Sequence, residues 1–154
     1  IERVARCVRE AVDECDLQLE DIRALGIGAP GAVDPEEGRM IFAPNLGWKD
    51  VPLKRALEQQ LPVPVFAEND CNACALGVYE TELKPAPRSM VGIFLGTGIG
   101  AGIVLEGKPY AGFNRTAGEI GHTVVRRGGA RCGCGRRSGR CRWWLCSASV
   151  GLTT

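Results

Sequence analysis

Apolar residues at Ile1, Val4, Ala5, Val8, Ala11, Val12 and Cys15 recur at steps of three and four, with Glu, Arg and Asp between them. That spacing gathers them on one helix face and predicts a helix packed on a sheet. Residues 22–27 then read as a buried strand that runs into Gly28-Ala29-Pro30-Gly31. The glycines of this turn permit backbone angles closed to other residues and let a ligand approach the main chain. A turn at 35–38 leads into a short strand at 40–42, and a helix is predicted over 51–61, capped by Asp50 with Pro52 in its first turn. Residues 63–67 form the next strand. Asn69 or Asp70 opens a helix running to about Glu82, whose Ala, Cys and Leu residues make a small-residue face suited to close packing.

Pro85-Ala86-Pro87 is a stiff, non-helical connection and the best domain boundary. Beyond it, apolar strands at 89–95 and 100–105 flank a glycine-rich turn, and Glu106-Gly107-Lys108 reverses the chain into a third strand at 109–110. Helices alternating with strands predict an α/β protein. Residues 1–87 read as a partial N-terminal α/β domain carrying ligand-binding loops and a candidate catalytic carboxylate. Residues 88–154 read as the start of a C-terminal domain.

Composition narrows the class. With 154 residues, 45% apolar and 24% charged, the chain is ordinary for a globular protein, which excludes fibres and disorder. No apolar run approaches the roughly 20 residues needed to span a bilayer, and the first residues have neither a charged leader nor an apolar signal core. The expectation is a cytoplasmic protein without a membrane partner. The start without Met, inside a helical pattern, implies that the true N-terminus is missing or was processed away. The net charge of +1 conceals an asymmetry, for all 18 acidic residues lie at or before Glu119, whereas the last 35 residues hold seven arginines and no carboxylate. Such a tail either binds nucleic acid or is a solvated terminus, and without a recognisable nucleic-acid-binding fold the second is expected. The eight cysteines do not make a secreted disulfide framework; cytosolic thiols or a metal site fit better.

Three segments carry chemistry. Asp70, in Glu68-Asn69-Asp70-Cys71-Asn72-Ala73, directly follows a strand, and ligands of open α/β sheets gather beyond the carboxyl ends of the strands. It reads either as a general base or as a helix cap. Gly96-Thr97-Gly98-Ile99-Gly100-Ala101-Gly102 would turn successive N–H groups into one anion nest, with Thr97 adding a hydroxyl; the alternative is a hairpin turn without a ligand. Glu119 and His122, three residues apart, face either a ligand or each other. His122 with Cys132, Cys134 and Cys141, and Cys146 in reserve, could form a tetrahedral zinc set; otherwise it is a buried, hydrogen-bonded histidine among unrelated thiols. Cys71 and Cys74 read as small apolar residues rather than a redox pair, and of the tryptophans only Trp48, near Asn45, could border a sugar.

In order, Gly28-Ala29-Pro30-Gly31-Ala32-Val33-Asp34, Pro44-Asn45-Leu46-Gly47-Trp48, the Glu68 and Gly96 segments, Ala117-Gly118-Glu119-Ile120-Gly121-His122 and Cys132-Gly133-Cys134-Gly135 resemble the ROK family from about residue 22 to 137. That family groups bacterial sugar kinases, such as ROK glucokinases, with sugar-responsive repressors. The resemblance implies an actin-like, hexokinase-type (ribonuclease H-like) two-domain ATPase fold, incomplete here, with a hexose in the cleft. Asp70 would take the proton of the sugar 6-hydroxyl. Gly31, Asn45, Asn69, Glu119 and His122 would bind the sugar, and Gly96, Thr97, Gly98 and Gly100 the phosphates of ATP. Mg²⁺ would accompany ATP, and structural Zn²⁺ on His122, Cys132, Cys134 and Cys141 would brace the sugar site. A homodimer is implied for the intact protein. The alternative is a sugar-responsive regulator lacking its DNA-binding part.

The chain departs from the family pattern. An Asp-x-Gly-Gly-Thr phosphate loop should precede Ile1. The zinc segment should place glycine at 138, cysteine at 139 and glutamate at 141, where this chain has Ser138, Gly139 and Cys141. The sequence is therefore expected to be a fragment of weak or no kinase activity.

Overall fold

The computed structural model describes residues 1–96 and 98–124. They fall into two compact units, one spanning Ile1–Asp70 and a second that begins at Cys71.

In the first unit, helix α1 (Glu2–Glu14) lays its apolar stripe on the core. Ala5 is fully buried, with Ile1, Val4 and Val8 beside it. Asp16, at φ 56°, turns the chain away, a conformation that a short polar side chain tolerates. A 3-10 turn at Leu19–Asp21 follows, closed by Gln18 N–H on Asp21 Oδ2 at 2.9 Å. Because Ile22 ends this turn, strand β1 (Leu25–Ala29) starts later than the apolar run beginning there. Its inward positions Leu25, Ile27 and Ala29 alternate with exposed Gly26 and Gly28.

Strands β2 (Ala32–Asp34), β3 (Arg39–Ala43) and β4 (Trp48–Val51) form an antiparallel sheet. Asp34 Oδ1 accepts the Glu36 N–H at 3.1 Å in the turn between β2 and β3, as aspartates do in turns. Two sequence expectations change here. Asp50 is not a helix cap: it lies in β4 at φ 54°, and its carboxylate accepts a bond from Arg39 Nη1 at 2.8 Å. Helix α2 is correspondingly shorter, Leu53–Glu58, with Pro52 at its N-cap. It buries Leu53 and Leu57. Strand β5 (Val65–Asn69) then pairs in parallel with β1, from Leu25↔Val65 to Ala29↔Asn69. Both helices and all five strands of the unit contribute to one aliphatic core around Met40, Leu53, Leu57, Leu61 and Val65.

Helix α3 (Asp70–Thr81) starts at the last residue of the first unit and belongs to the second from Cys71 on. In the second unit, β6 (Ser89–Leu95), β7 (Ile99–Leu105) and β8 (Lys108–Pro109) make an antiparallel sheet in that order. The small-residue face predicted for α3 packs on β7: a Cβ added at Gly102 would sit 2.5 Å from Ala75 Cβ, and one at Gly100 would fall on Cys71 Sγ. Ala75, Tyr79 and Val104 form the buried cluster, with Met90 and Phe94 against it. Cys7, Cys15, Cys71 and Cys74 are thiols without disulfides. No helix among the described residues is long and apolar enough to cross a membrane.

Candidate functional site

In the first unit the candidate residues collect where the parallel strands end. Ala29 and Asn69 are register partners at the carboxyl ends of β1 and β5, and Asp70 is the next residue of the chain. This is the edge at which α/β sheets bind ligands. Gly28 lies directly under the carboxylate-bearing residue, since a Cβ there would stand 3.4 Å from Asp70 Cα. Asn69 links the two strand ends: its Nδ2 donates to the Gly31 carbonyl at 3.0 Å and to Asp70 Oδ1 at 3.1 Å. Its main-chain N–H donates to Glu68 Oε1 at 2.7 Å.

Gly31 has φ 99°, a left-handed conformation open to glycine, and a Cβ there would strike the Phe42 carbonyl and stand 3.1 Å from Ala43 Cα. The loop after β1 is thereby pinned to the end of β3. Two residues beyond Ala43, the exposed Asn45 sits in a 3-10 turn (Pro44–Leu46) ended by Gly47 at φ 64°. Gly31, Asn69 and Asp70 are thus joined by hydrogen bonds, and Asn45 follows the strand end that Gly31 touches. Trp48 is half-buried and packs against the core.

In the second unit, the tip of the β6–β7 hairpin is the glycine turn. Gly96 N–H donates to the Gly98 carbonyl at 2.9 Å, and a side chain at Gly96 would meet only open space. Thr97 lies outside the described residues. Gly100 and Gly102, further down β7, face α3 instead, where a Cβ would fall on Cys71 Sγ and on the Cys71 carbonyl respectively. On β7 also rests the segment bearing Glu119 and His122. Side chains at Gly118 (φ 88°) and Gly121 would collide with the carbonyls of Ala101 and Ile99. A 3-10 turn, Ile120–His122, then brings His122 Nε2 to 3.3 Å from Glu119 Oε2, both side chains half-exposed. The two candidate ligand residues therefore face each other.

Cys132, Cys134, Cys141 and Cys146 lie outside the described residues, and among the described residues no three His, Cys, Asp or Glu side chains gather as a metal site. Sequence reasoning missed the bond from Asn69 to Gly31, which spans 38 residues and leaves no local pattern. It also read Gly100 as part of either a phosphate nest or a bare hairpin turn, although a strand glycine is equally a signal of close backbone approach.

A glucokinase of Halalkalibacterium halodurans is 44% identical over 117 residues, covering 75% of this chain and 36% of the relative. A xylose repressor of Caldicellulosiruptor bescii is 34% identical, covering 83% of this chain and 32% of the relative. Among solved structures, a ROK glucokinase of Streptomyces griseus in complex with glucose and AMPPNP superposes with a TM-score of 0.77 at 36% identity, covering 90% of this chain and 44% of that one. The fold is the actin-like, hexokinase-type α/β fold of these neighbours. This chain spans less than half the length of each. With a family model matching residues 2–149, the chain belongs to the ROK family.

Proposed function

We propose that this chain carries the sugar-binding and base-bearing part of an ATP-dependent hexose kinase that phosphorylates the 6-hydroxyl of glucose or a related sugar. The observation that carries the reading is the Asp70 carboxylate at the ends of β1 and β5, hydrogen-bonded to Asn69, which in turn holds the Gly31 loop. A sugar hydroxyl is a poor nucleophile, and a carboxylate within hydrogen-bond reach can accept its proton as the oxygen attacks. In the proposed step, the 6-oxygen forms a bond to the γ-phosphorus of ATP, and the bond from that phosphorus to the bridging oxygen breaks. ADP leaves, and the proton resides on Asp70. Most of the rate comes from positioning and from charge stabilisation around the phosphates.

The remaining assignments rest on the family resemblance. Asn45, Glu119 and His122 would take sugar hydroxyls, as would Asn69 and the Gly31 loop. Gly96, Thr97, Gly98 and Gly100 would face ATP phosphates accompanied by Mg²⁺. Zinc would be held by His122, Cys132, Cys134 and Cys141 in a structural role. One imidazole and three thiolates suit tetrahedral Zn²⁺, and the Glu119 carboxylate beside His122 is the kind of partner that orients a metal-bound ring.

The test has two stages. Titrating the isotopically labelled chain with millimolar glucose should shift the amide resonances of Gly31, Asn45, Asn69 and Asp70; no response at any of them overturns the sugar site. Asp70→Asn should then lower single-turnover phosphorylation of glucose by about 10²–10⁴-fold, and an unchanged rate removes the base. A second reading, a sugar-responsive regulator, is favoured by the repressor relative. It would show as xylose shifting these amide resonances where glucose does not.

A further inference from the structure

We propose that Cys71 and Cys74 are a redox-modifiable pair: closing a disulfide between them draws the Cys71 sulfur out of its seat against β7 and reshapes the turn of α3 that carries Asp70. The pairing stands on the two cysteines alone. Its effect on phosphoryl transfer rests on the reading of Asp70 as the base.

The two thiols occupy the second and fifth positions of α3, and neither is in a disulfide. As small apolar packing residues, both should be covered. Cys71 fits that role, half-buried with its sulfur at Gly100, where an added Cβ would fall on Sγ. Cys74 does not, because it is exposed. An accessible thiol poised beside a second, resolving thiol is the arrangement that redox-sensing cysteines use. Cys7 and Cys15, the other described cysteines, stand eight residues apart along α1 and its C-cap, about 12 Å on a helix, and cannot pair in place.

Residues three apart on an α-helix have Cα atoms about 5 Å apart, inside the roughly 4.4–6.8 Å that a disulfide spans. Their Cβ atoms are about 5–6 Å apart, whereas a disulfide needs roughly 3.5–4.5 Å. Cys71 and Cys74 are thus near enough to bond, but only if the first turn tightens and Cys71 Sγ swings towards Cys74. The seat at Gly100 is then vacated. Asp70 is joined to Cys71 by one peptide bond, so the same change in dihedral angles reaches the carboxylate that Asn69 Nδ2 meets at 3.1 Å.

The oxidant is a low-molecular-weight disulfide such as oxidised glutathione. The exposed Cys74 thiolate attacks one of its sulfurs, the sulfur–sulfur bond breaks, and one glutathione thiolate leaves. The Cys71 thiolate then attacks Cys74 Sγ and expels the second. Each protein thiol gives up a proton, the pair gives up two electrons, and oxidised glutathione becomes two molecules of glutathione.

Trypsin releases residues 56–88 as one peptide that holds Cys71 and Cys74 and no other cysteine, since Pro85 protects the bond after Lys84. The 154-residue chain is treated with millimolar oxidised glutathione, quenched in acid and alkylated. Its 56–88 peptide should then carry no alkyl group and weigh two hydrogens less than the unalkylated dithiol, and dithiothreitol should restore double alkylation. A doubly alkylated peptide, a lasting glutathione adduct or a link to another cysteine overturns the proposal. In the labelled chain, the same oxidation should shift the amide resonances of Asp70 and Gly100 and leave those of Gly26 and Gly47 in place. A disulfide that forms with Asp70 and Gly100 unmoved refutes the coupling.

Oxidation should lower single-turnover phosphorylation of glucose by roughly ten- to a hundredfold, as displacement of a reacting group does. Cys74→Ser should keep the parent rate and lose the sensitivity to oxidised glutathione. An oxidised parent with its rate intact refutes the effect on the base. A parent that transfers no phosphoryl group even when reduced counts against Asp70 as the base, while the peptide masses and resonances still decide the pair.

Discussion

The two units hold helix against strand by opposite means. In the first, the interior is filled by side chains that are present: Met40, Leu53, Leu57, Leu61 and Val65 are all buried to within 1%. In the second, α3 meets β7 through side chains that are missing, with Gly100 and Gly102 letting the strand come down onto Cys71 and Ala75. The first unit is therefore vulnerable to removing atoms and the second to adding them.

The contrast can be broken most severely at Leu57, whose truncation leaves a cavity that the aliphatic neighbours fill only in part. Leu57→Ala should cost about 2–5 kcal/mol, read as a lowered urea midpoint for the first unit. A loss below about 1 kcal/mol would mean that the core is not packed as described. In the second unit the damaging change is an addition. Gly100→Ala should cost about 1–3 kcal/mol by overpacking, and the obstacle is one movable atom, Cys71 Sγ. Cys71→Ala should therefore recover most of that loss in the double variant, whereas it should not rescue Gly102→Ala, where the obstacle is a backbone carbonyl. Equal costs with and without the thiol would refute the contact. The smallest effect belongs to Gly96→Ala, which meets open space and should leave the midpoint within about 0.5 kcal/mol. Any fall in the affinity for a fluorescent ATP analogue would then report crowding of a phosphate at the hairpin tip. Unchanged affinity would remove Gly96 from the nucleotide site.

Elements with a sustained period were legible in the sequence. The stripe from Ile1 to Cys15 is α1, the small-residue helix after Asn69 is α3, and the apolar runs around the glycine turn are β6 and β7. What escaped is short or set by distant partners. Strand β2 is three residues and β4 four, too brief to show alternation. Asp50 resembles a cap because capping preference is local, yet its partner is Arg39 on a neighbouring strand. The candidate site divides in the same way. Asp70 was placed by its position after a strand, while its connection to Gly31 depends on the pairing of β1 with β5 and has no signature in either segment.

Strand β6 has a consequence for handling the chain in solution. Its residues Ser89–Leu95 contain no charge and no proline, and Val91, Ile93 and Leu95 stand 59%, 60% and 66% exposed along one face. Among the described residues its only sheet neighbour is β7. A strand with an open hydrogen-bonding edge and a bare apolar face is a template for copies of itself, and natural sheets blunt such edges with lysine, proline or a bulge, none of which β6 carries. Among the described residues nothing covers this edge, so raising the protein concentration should favour intermolecular pairing of β6, read as a concentration-dependent rise in light scattering.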